Sequence, residues 1–234
     1  MTNEKTHLCI KGLPLIKFQK EEIIDSIQKG KIYANTLSFY RQLEEKSGDK
    51  RVGDQFEAML HVHEGQFINR ETGEVTELRD TLVPTSHSND YAFCMFSCYH
   101  NATSFSFSDQ QKSELLSMGD TALIITDNTK FRNRVQTAAN AQGYDVHFGV
   151  VRYFDESEDS ANMIISAFQG VWALAFWKRK EYAYQQEARF VFSPYKEGVD
   201  HIELDIGDIS DISKKVDARQ ALTAFVQEIK GKDN

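Results

Sequence analysis

From Ala183 to Ser193 the side chains alternate with a period of two. Gln185, Glu187, Arg189 and Val191 fall on one face, and Tyr184, Gln186, Ala188, Phe190 and Phe192 on the other. Alternation of this kind fits a strand, because successive side chains leave a pleated backbone on opposite sides. With Phe190 and Phe192 turned into a core, the stretch Gln185 to Phe192 requires a sheet with something packed over it. Glu187 then stands beside Gln185 and Arg189 on the opposite face, where a carboxylate is accounted for by solvent, an ion pair or a chemical task. The plainer expectation is an exposed pair of Glu187 with Arg189, which would add little to stability.

The rest of the chain mixes strand and helix signals. Leu8 to Phe18 reads as extended, broken by Gly12 and Pro14. Lys20 to Lys29 places Ile23, Ile24 and Ile27 on one helical face and ends at Gly30. Lys31 to Thr36 reads as a short strand, and the charged, glycine-punctuated residues 42 to 56 as a surface loop. Ala58 to Arg79 alternates, with turn signals at Glu64-Gly65 and Thr72-Gly73, predicting a hairpin insertion over 58–79. Tyr91 to Cys98 and Thr121 to Thr126 are compact apolar runs that suit buried strands, with a helix between them over Asp109 to Met118. Asn128 to Gln142 carries Phe131, Val135, Ala138 and Ala139 on one stripe, and Asp145 to Phe154 is the next strand. Ser160 to Trp177 reads as largely helical. A final helix is expected over Val216 to Ile229, with Leu222, Phe225, Val226 and Ile229 inward. No regular strand-helix-strand repeat appears, so the fold class is α+β, and 234 residues with 41% apolar content suit one domain over 1–234.

Several function classes lose ground on composition. No apolar stretch reaches the roughly 18 residues of a membrane span, and Met1 to Thr6 is polar, so a cytoplasmic location without a membrane partner is expected. A net charge of −8 argues against bulk electrostatic capture of nucleic acid. The basic clusters Lys178-Arg179-Lys180 and Lys130, Arg132, Arg134 read as solvated faces. There is no phosphate-cradling glycine loop, nucleophile elbow or His-Glu-x-x-His helix. His61 and His63 have no third ligand, and Cys94 and Cys98, half a zinc site with His87 and His100, have no second closely spaced pair to complete it, so no metal is expected.

Several short motifs recur in order along the chain: Leu15-Ile16-Lys17-Phe18, the helix to Gly30, Ile32-Tyr33-Ala34-Asn35, Gly53-Asp54-Gln55-Phe56-Glu57, Phe93-Cys94-Met95-Phe96-Ser97, Gly149-Val150-Val151-Arg152-Tyr153 and Gln186-Glu187-Ala188-Arg189. Together they resemble a widespread bacterial domain family of unknown function, often found near defence genes. That architecture is in turn similar to the ADP-ribosyltransferases. The resemblance implies a split β-sheet core with flanking helices and a β-hairpin insertion. It implies NAD as co-substrate, a nucleic-acid or protein acceptor, and an intracellular toxin or phage-defence effector that a neutralising antitoxin could restrain.

By the same resemblance, Glu187 is the late catalytic glutamate and Gln185, two positions earlier, orients the acceptor. Lys17 stands near the first-strand contact, with Asn35 and Thr36 in the second strand and the loop after it. Tyr33, Phe39 or Tyr40 would stack on nicotinamide, and Arg41, Lys17 or Arg189 would pair with the pyrophosphate. The sequence departs from the family pattern in offering Asn35-Thr36-Leu37-Ser38 where a Ser-Thr-Ser triplet would stand. Two other readings stay open. In a nuclease, Asp54, Glu57, Glu187 and Arg189 would imitate an acidic metal site, although Arg189 takes the place of the usual lysine. A non-catalytic interaction module would use Ala58 to Arg79 and Phe93 to Phe107 as its surface.

Overall fold

In β1 (Leu15–Gln19), Leu15, Ile16 and Phe18 are buried, so the strand has core on both faces. Helix α1 (Glu21–Gln28) buries Ile24 and Ile27, and Gly30, at φ 95°, turns the chain directly into β2 (Lys31–Thr36). Only glycine fits there, because a Cβ would lie 2.2 Å from the Gly207 carbonyl oxygen. These elements come from a computed structural model that describes residues 14–48, 53–97, 107–155 and 160–223.

Helix α2 (Leu37–Ser47) replaces the first part of the loop expected over 42 to 56. Thr36 caps it, its Oγ1 accepting from Phe39 N at 3.2 Å, and Gly48 closes it in the left-handed region. Charge on its surface misled the reading, since Glu44 is drawn inward by Arg179 rather than left in solvent. The hairpin of β3 (Leu60–Ile68) and β4 (Val75–Val83) forms its own two-stranded sheet, running a few residues past the expected end. Next come β5 (Tyr91–Ser97), α3 (Asp109–Met118), β6 (Thr121–Ile125), α4 (Asn128–Ala141), β7 (Asp145–Val150) and β8 (Arg152–Phe154). The region read as helical from 160 to 177 divides into α5 (Ser160–Gln169) and a 3-10 turn (Val171–Phe176). It is followed by β9 (Trp177–Arg179), a second 3-10 turn (Lys180–Gln185), β10 (Glu187–Ser193), β11 (His201–Asp205) and β12 (Ser213–Asp217). Val216 therefore belongs to a strand, helix begins at 218, and Phe225, Val226 and Ile229 lie outside the described residues.

The molecule is α+β, with a mostly antiparallel eight-stranded sheet. β10 pairs along one edge of β5, from Glu187 opposite Phe96 to Phe192 opposite Tyr91, and β7 lies beyond it. The other edge of β5 is shared. β1 takes its end, with Leu15 opposite Ser97 and Ile16 opposite Phe96, while β2 takes its start, with Asn35 opposite Ala92 and Thr36 opposite Tyr91. Between them, among the described residues, Phe93, Cys94 and Met95 have no ladder partner on that edge. The sheet is forked there, with β6 and β12 continuing from β1 and β11 from β2.

Both faces of the sheet are covered. Phe93, Met95, Phe190 and Phe192 pack with Phe131, Val135 and Ala139 of α4 and Ile24 and Ile27 of α1. On the opposite face, Ile16, Phe18 and Phe96 pack with Leu115 of α3, and Val191 with Leu37, Ala175 and Phe176. Phe190 and Phe192 thus lie on the face opposite Val191, as the alternation predicts.

Candidate active site at the fork of the sheet

β10 begins at Glu187, and the residue before it, Gln186, adopts φ 42°, a left-handed bend that ends the second 3-10 turn. Gln185 therefore belongs to that turn and not to the strand. The two side chains still converge, because a lysine joins them: Lys178 Nζ donates to Gln185 Oε1 at 2.6 Å and to Glu187 Oε1 at 2.8 Å. β9, which carries Lys178, runs parallel to β8 with Tyr153 opposite Lys178. The Tyr153 hydroxyl oxygen accepts from Glu187 N at 2.8 Å, fixing the first residue of β10.

Arg189 is 1% exposed, so the expected surface pair is instead a buried network. Its Nε donates to Glu187 Oε2 at 2.7 Å, and its terminal nitrogens reach both carboxylate oxygens of Glu57 and, at 2.7 Å, the Ala175 carbonyl. Glu57, also 1% exposed, arrives on the turn after Gly53. That turn presses on α2 so closely that a Cβ at Gly53 would lie 2.6 Å from Glu44 N. The neighbouring Arg179 serves a second buried cluster: its Nε donates to Asp54 Oδ1 at 3.0 Å, and it also donates to the Glu44 carboxylate and the Tyr182 hydroxyl. Lys178 and Arg179 are thus interior charges, contrary to the solvated face expected of them. Each has found a carboxylate, without which burial would be prohibitive.

The charges set one another. Burial alone would raise the Glu187 carboxyl, but Arg189 and Lys178 outweigh it and hold Glu187 well below the usual carboxylate range. Burial drives Glu57 upward, with Asp54 adding to the effect, although Arg189 and Lys178 oppose it. Lys178 and Arg189, despite burial, are raised by Glu187 and Glu57 and stay charged. Burial pushes the Cys94 thiol up to about 12 and the Tyr40 phenol above its ordinary value, so both are neutral.

A cavity of about 280 Å³ opens at the fork. Its polar lining includes Lys17, Tyr40, Glu57, Gln185, Glu187 and Arg189, and Phe18, Met95, Phe96, Leu115 and Met118 supply apolar walls. Of the residues singled out in the sequence, Lys17, Tyr40, Gln185, Glu187 and Arg189 meet here. Tyr33 does not: it is 49% exposed and stacks on His201 with ring centres 4.5 Å apart. Phe39 is exposed, and Thr36 is engaged as a helix cap. Asn35 does not line the cavity, and the Tyr40 hydroxyl donates to the Ala92 carbonyl at 3.4 Å. Arg41 donates to the backbone oxygens of Glu57 and Ser88 and to Asn89 Oδ1, which ties α2 to the turn bearing Glu57. No group of His, Cys, Asp and Glu suited to a metal ion occurs among the described residues, and Cys98 and His100 lie outside them.

Sequence reasoning missed Lys178 and Tyr153. The available signal for Lys178 was its place in an apolar setting, Ala175-Phe176-Trp177, which a solvated face would not favour. No known protein family, curated protein or solved structure matches the chain.

Proposed function

We propose that the chain is an NAD-dependent ADP-ribosyltransferase with an ADP-ribosyltransferase-like core, acting in the cytoplasm as a toxin or phage-defence effector on a nucleic-acid or protein acceptor. The observation that carries this reading is an ionised Glu187, immobilised by Lys178 and Arg189 on the wall of a cavity that Gln185 also lines. Loss of nicotinamide from NAD breaks the bond between ribose carbon and ring nitrogen, and the electron pair leaves with nicotinamide. The sugar passes through an oxocarbenium-like state, which a fixed carboxylate stabilises without having to reorganise. The acceptor's lone pair then forms the new bond to that carbon, and its proton passes to solvent. Gln185, held through its oxygen by Lys178 and donating through its amide nitrogen to the Tyr184 hydroxyl at 3.4 Å, lines the cavity and orients the acceptor. Tyr40 is the aromatic in position for the nicotinamide ring, and Lys17 occupies the first-strand position. Arg189 acts by holding Glu187, since four hydrogen bonds tie its guanidinium to Glu187, Glu57 and the Ala175 carbonyl. A neutralising antitoxin is the expected partner.

Incubation with labelled NAD and cell lysate tests the proposal. Wild type should transfer label, and Glu187→Ala should lower the rate by about 10²-fold or more, the usual effect of removing a preorganised charge-stabilising group. A wild-type chain that neither transfers label nor consumes NAD would refute the reading.

Exposed apolar residues favour a second reading, a non-catalytic interaction module. Phe67, Ile68 and Val75 are exposed at the end of the hairpin, and Ile165 and Phe168 on α5, with Phe168 87% exposed. Phe168→Asp would then abolish partner binding while Glu187→Ala would not. The nuclease reading has less support: Arg189 engages Glu57 and Glu187 and Arg179 engages Asp54, so these carboxylates are already neutralised.

A further inference from the structure

Two lysine amines stand at this site in opposite circumstances. Lys178 Nζ is 2.8 Å from Glu187 Oε1 and 3.9 Å from Glu57 Oε2, and these carboxylates fix it as an ammonium ion. Lys17 leaves β1 where β1 diverges from β5. Its Nζ donates to the Cys94 carbonyl oxygen at 2.8 Å and lies 5.1 Å from the centre of the Phe93 ring. Among the described residues no carboxylate stands within 4.0 Å of it, so its one protein acceptor is a neutral carbonyl.

We propose that Lys17 is an amine nucleophile, and that the cavity takes a small aldehyde or ketone with an apolar body, held on Lys17 as an imine. The inference goes beyond the transferase reading and requires nothing of NAD. Burial without an adjacent counter-ion lowers the Lys17 amine from its ordinary value, and Cys94 and Glu187 act against this without overcoming it. A desolvated amine of this kind is the form that attacks carbonyl groups. The other groups of the site with a basic or nucleophilic atom held in its core are unsuited to the role. Arg189 is a guanidinium that stays charged, Cys94 and Tyr40 are held protonated, and Lys178 is charged and engaged.

The chemistry closes without a co-reactant. The Nζ lone pair bonds to the carbonyl carbon, the π pair moves to oxygen, and the proton shed by nitrogen passes to that oxygen. Expulsion of the oxygen as water forms the carbon–nitrogen double bond. Counted from the ammonium form, the iminium ion retains the single positive charge and one water is released. The ionised Glu187 in the same cavity favours that cation, and Phe18, Met95, Phe96, Leu115 and Met118 favour an apolar remainder on the carbonyl compound. A cavity of about 280 Å³ restricts it to a small molecule.

The full chain is exposed to butanal and sodium cyanoborohydride, which reduces imines in place, and modified lysines are mapped by peptide mass across a range of pH. The expected result is one butyl group per chain at short times, on Lys17, with that adduct lost in Lys17→Arg. Labelling of Lys17 should also reach its plateau at lower pH than labelling of the exposed lysines. Mapping on the unaltered chain keeps the test valid if the variant fails to fold. Label that appears on Lys178 or on exposed lysines before Lys17, or a common pH midpoint for all, overturns the proposal. NAD is absent throughout, so failure of the transferase reading leaves this outcome unaffected, and the reverse also holds.

Discussion

Arg189 stabilises the site by holding two carboxylates that could not otherwise be buried together. Replacing it with alanine leaves Glu57 and Glu187 without their shared cation, and breaking a buried pair in this way costs about 3–5 kcal/mol. Urea denaturation of Arg189→Ala should show a loss of that order, and Arg189→Lys should recover only part of it, because an ammonium cannot span both carboxylates as a planar guanidinium does. Legibility in the sequence follows the same physics. Alternation placed Glu187 and Arg189 on one face correctly, since period-two geometry is local. It could not say that the face is covered, because the covering residues, Glu57 and Lys178, come from distant positions. Gln185 was placed beside Glu187 by a spacing that the chain does not use; the bend at Gln186 breaks the strand, and Lys178 restores the encounter.

At the level of elements, α2 is the part that the sequence concealed and the site needs. It carries Tyr40 to the cavity and Arg41 to the turn bearing Glu57. Its start depends on the Thr36 hydroxyl, so Thr36→Ala should lower stability by about 1 kcal/mol, visible as a drop in Tm, while Thr36→Ser should cost much less. Elements with continuous apolar stripes, such as α4 and β6, were legible because their patterns admit one burial solution. α2 was not, since Glu44 and Glu45 resemble loop surface until Arg179, far along the chain, turns Glu44 into an interior group. The division of 160 to 177 into α5 and a 3-10 turn was hidden for a related reason. Both pieces are apolar, and Gly170 separates them at φ 155°.

Across the whole molecule, acid sensitivity should trace to Glu187. Its carboxyl is depressed in the folded state, so its contribution is fully present above the ordinary carboxylate value and is lost as pH falls from there toward the folded value. Between about pH 6 and about pH 3, unfolding free energy should therefore fall more steeply for wild type than for Glu187→Gln, as urea titrations at each pH would record. Equal slopes would show that Glu187 is not the group responsible. The α+β class was readable from the mixture of periods, whereas the order of strands was not, because pairing between β1, β5 and β10 joins segments separated by most of the chain. The fork has a mechanical consequence. Among the described residues, Phe93, Cys94 and Met95 lack a strand on one side, so the two arms of the sheet, β1 with β6 and β2 with β11, are joined along that edge only through the two ends of β5. An occupant of the cavity would act as a rivet between β1, β5 and β10, whose side chains line it, and amide hydrogen exchange should slow on these strands together when it binds.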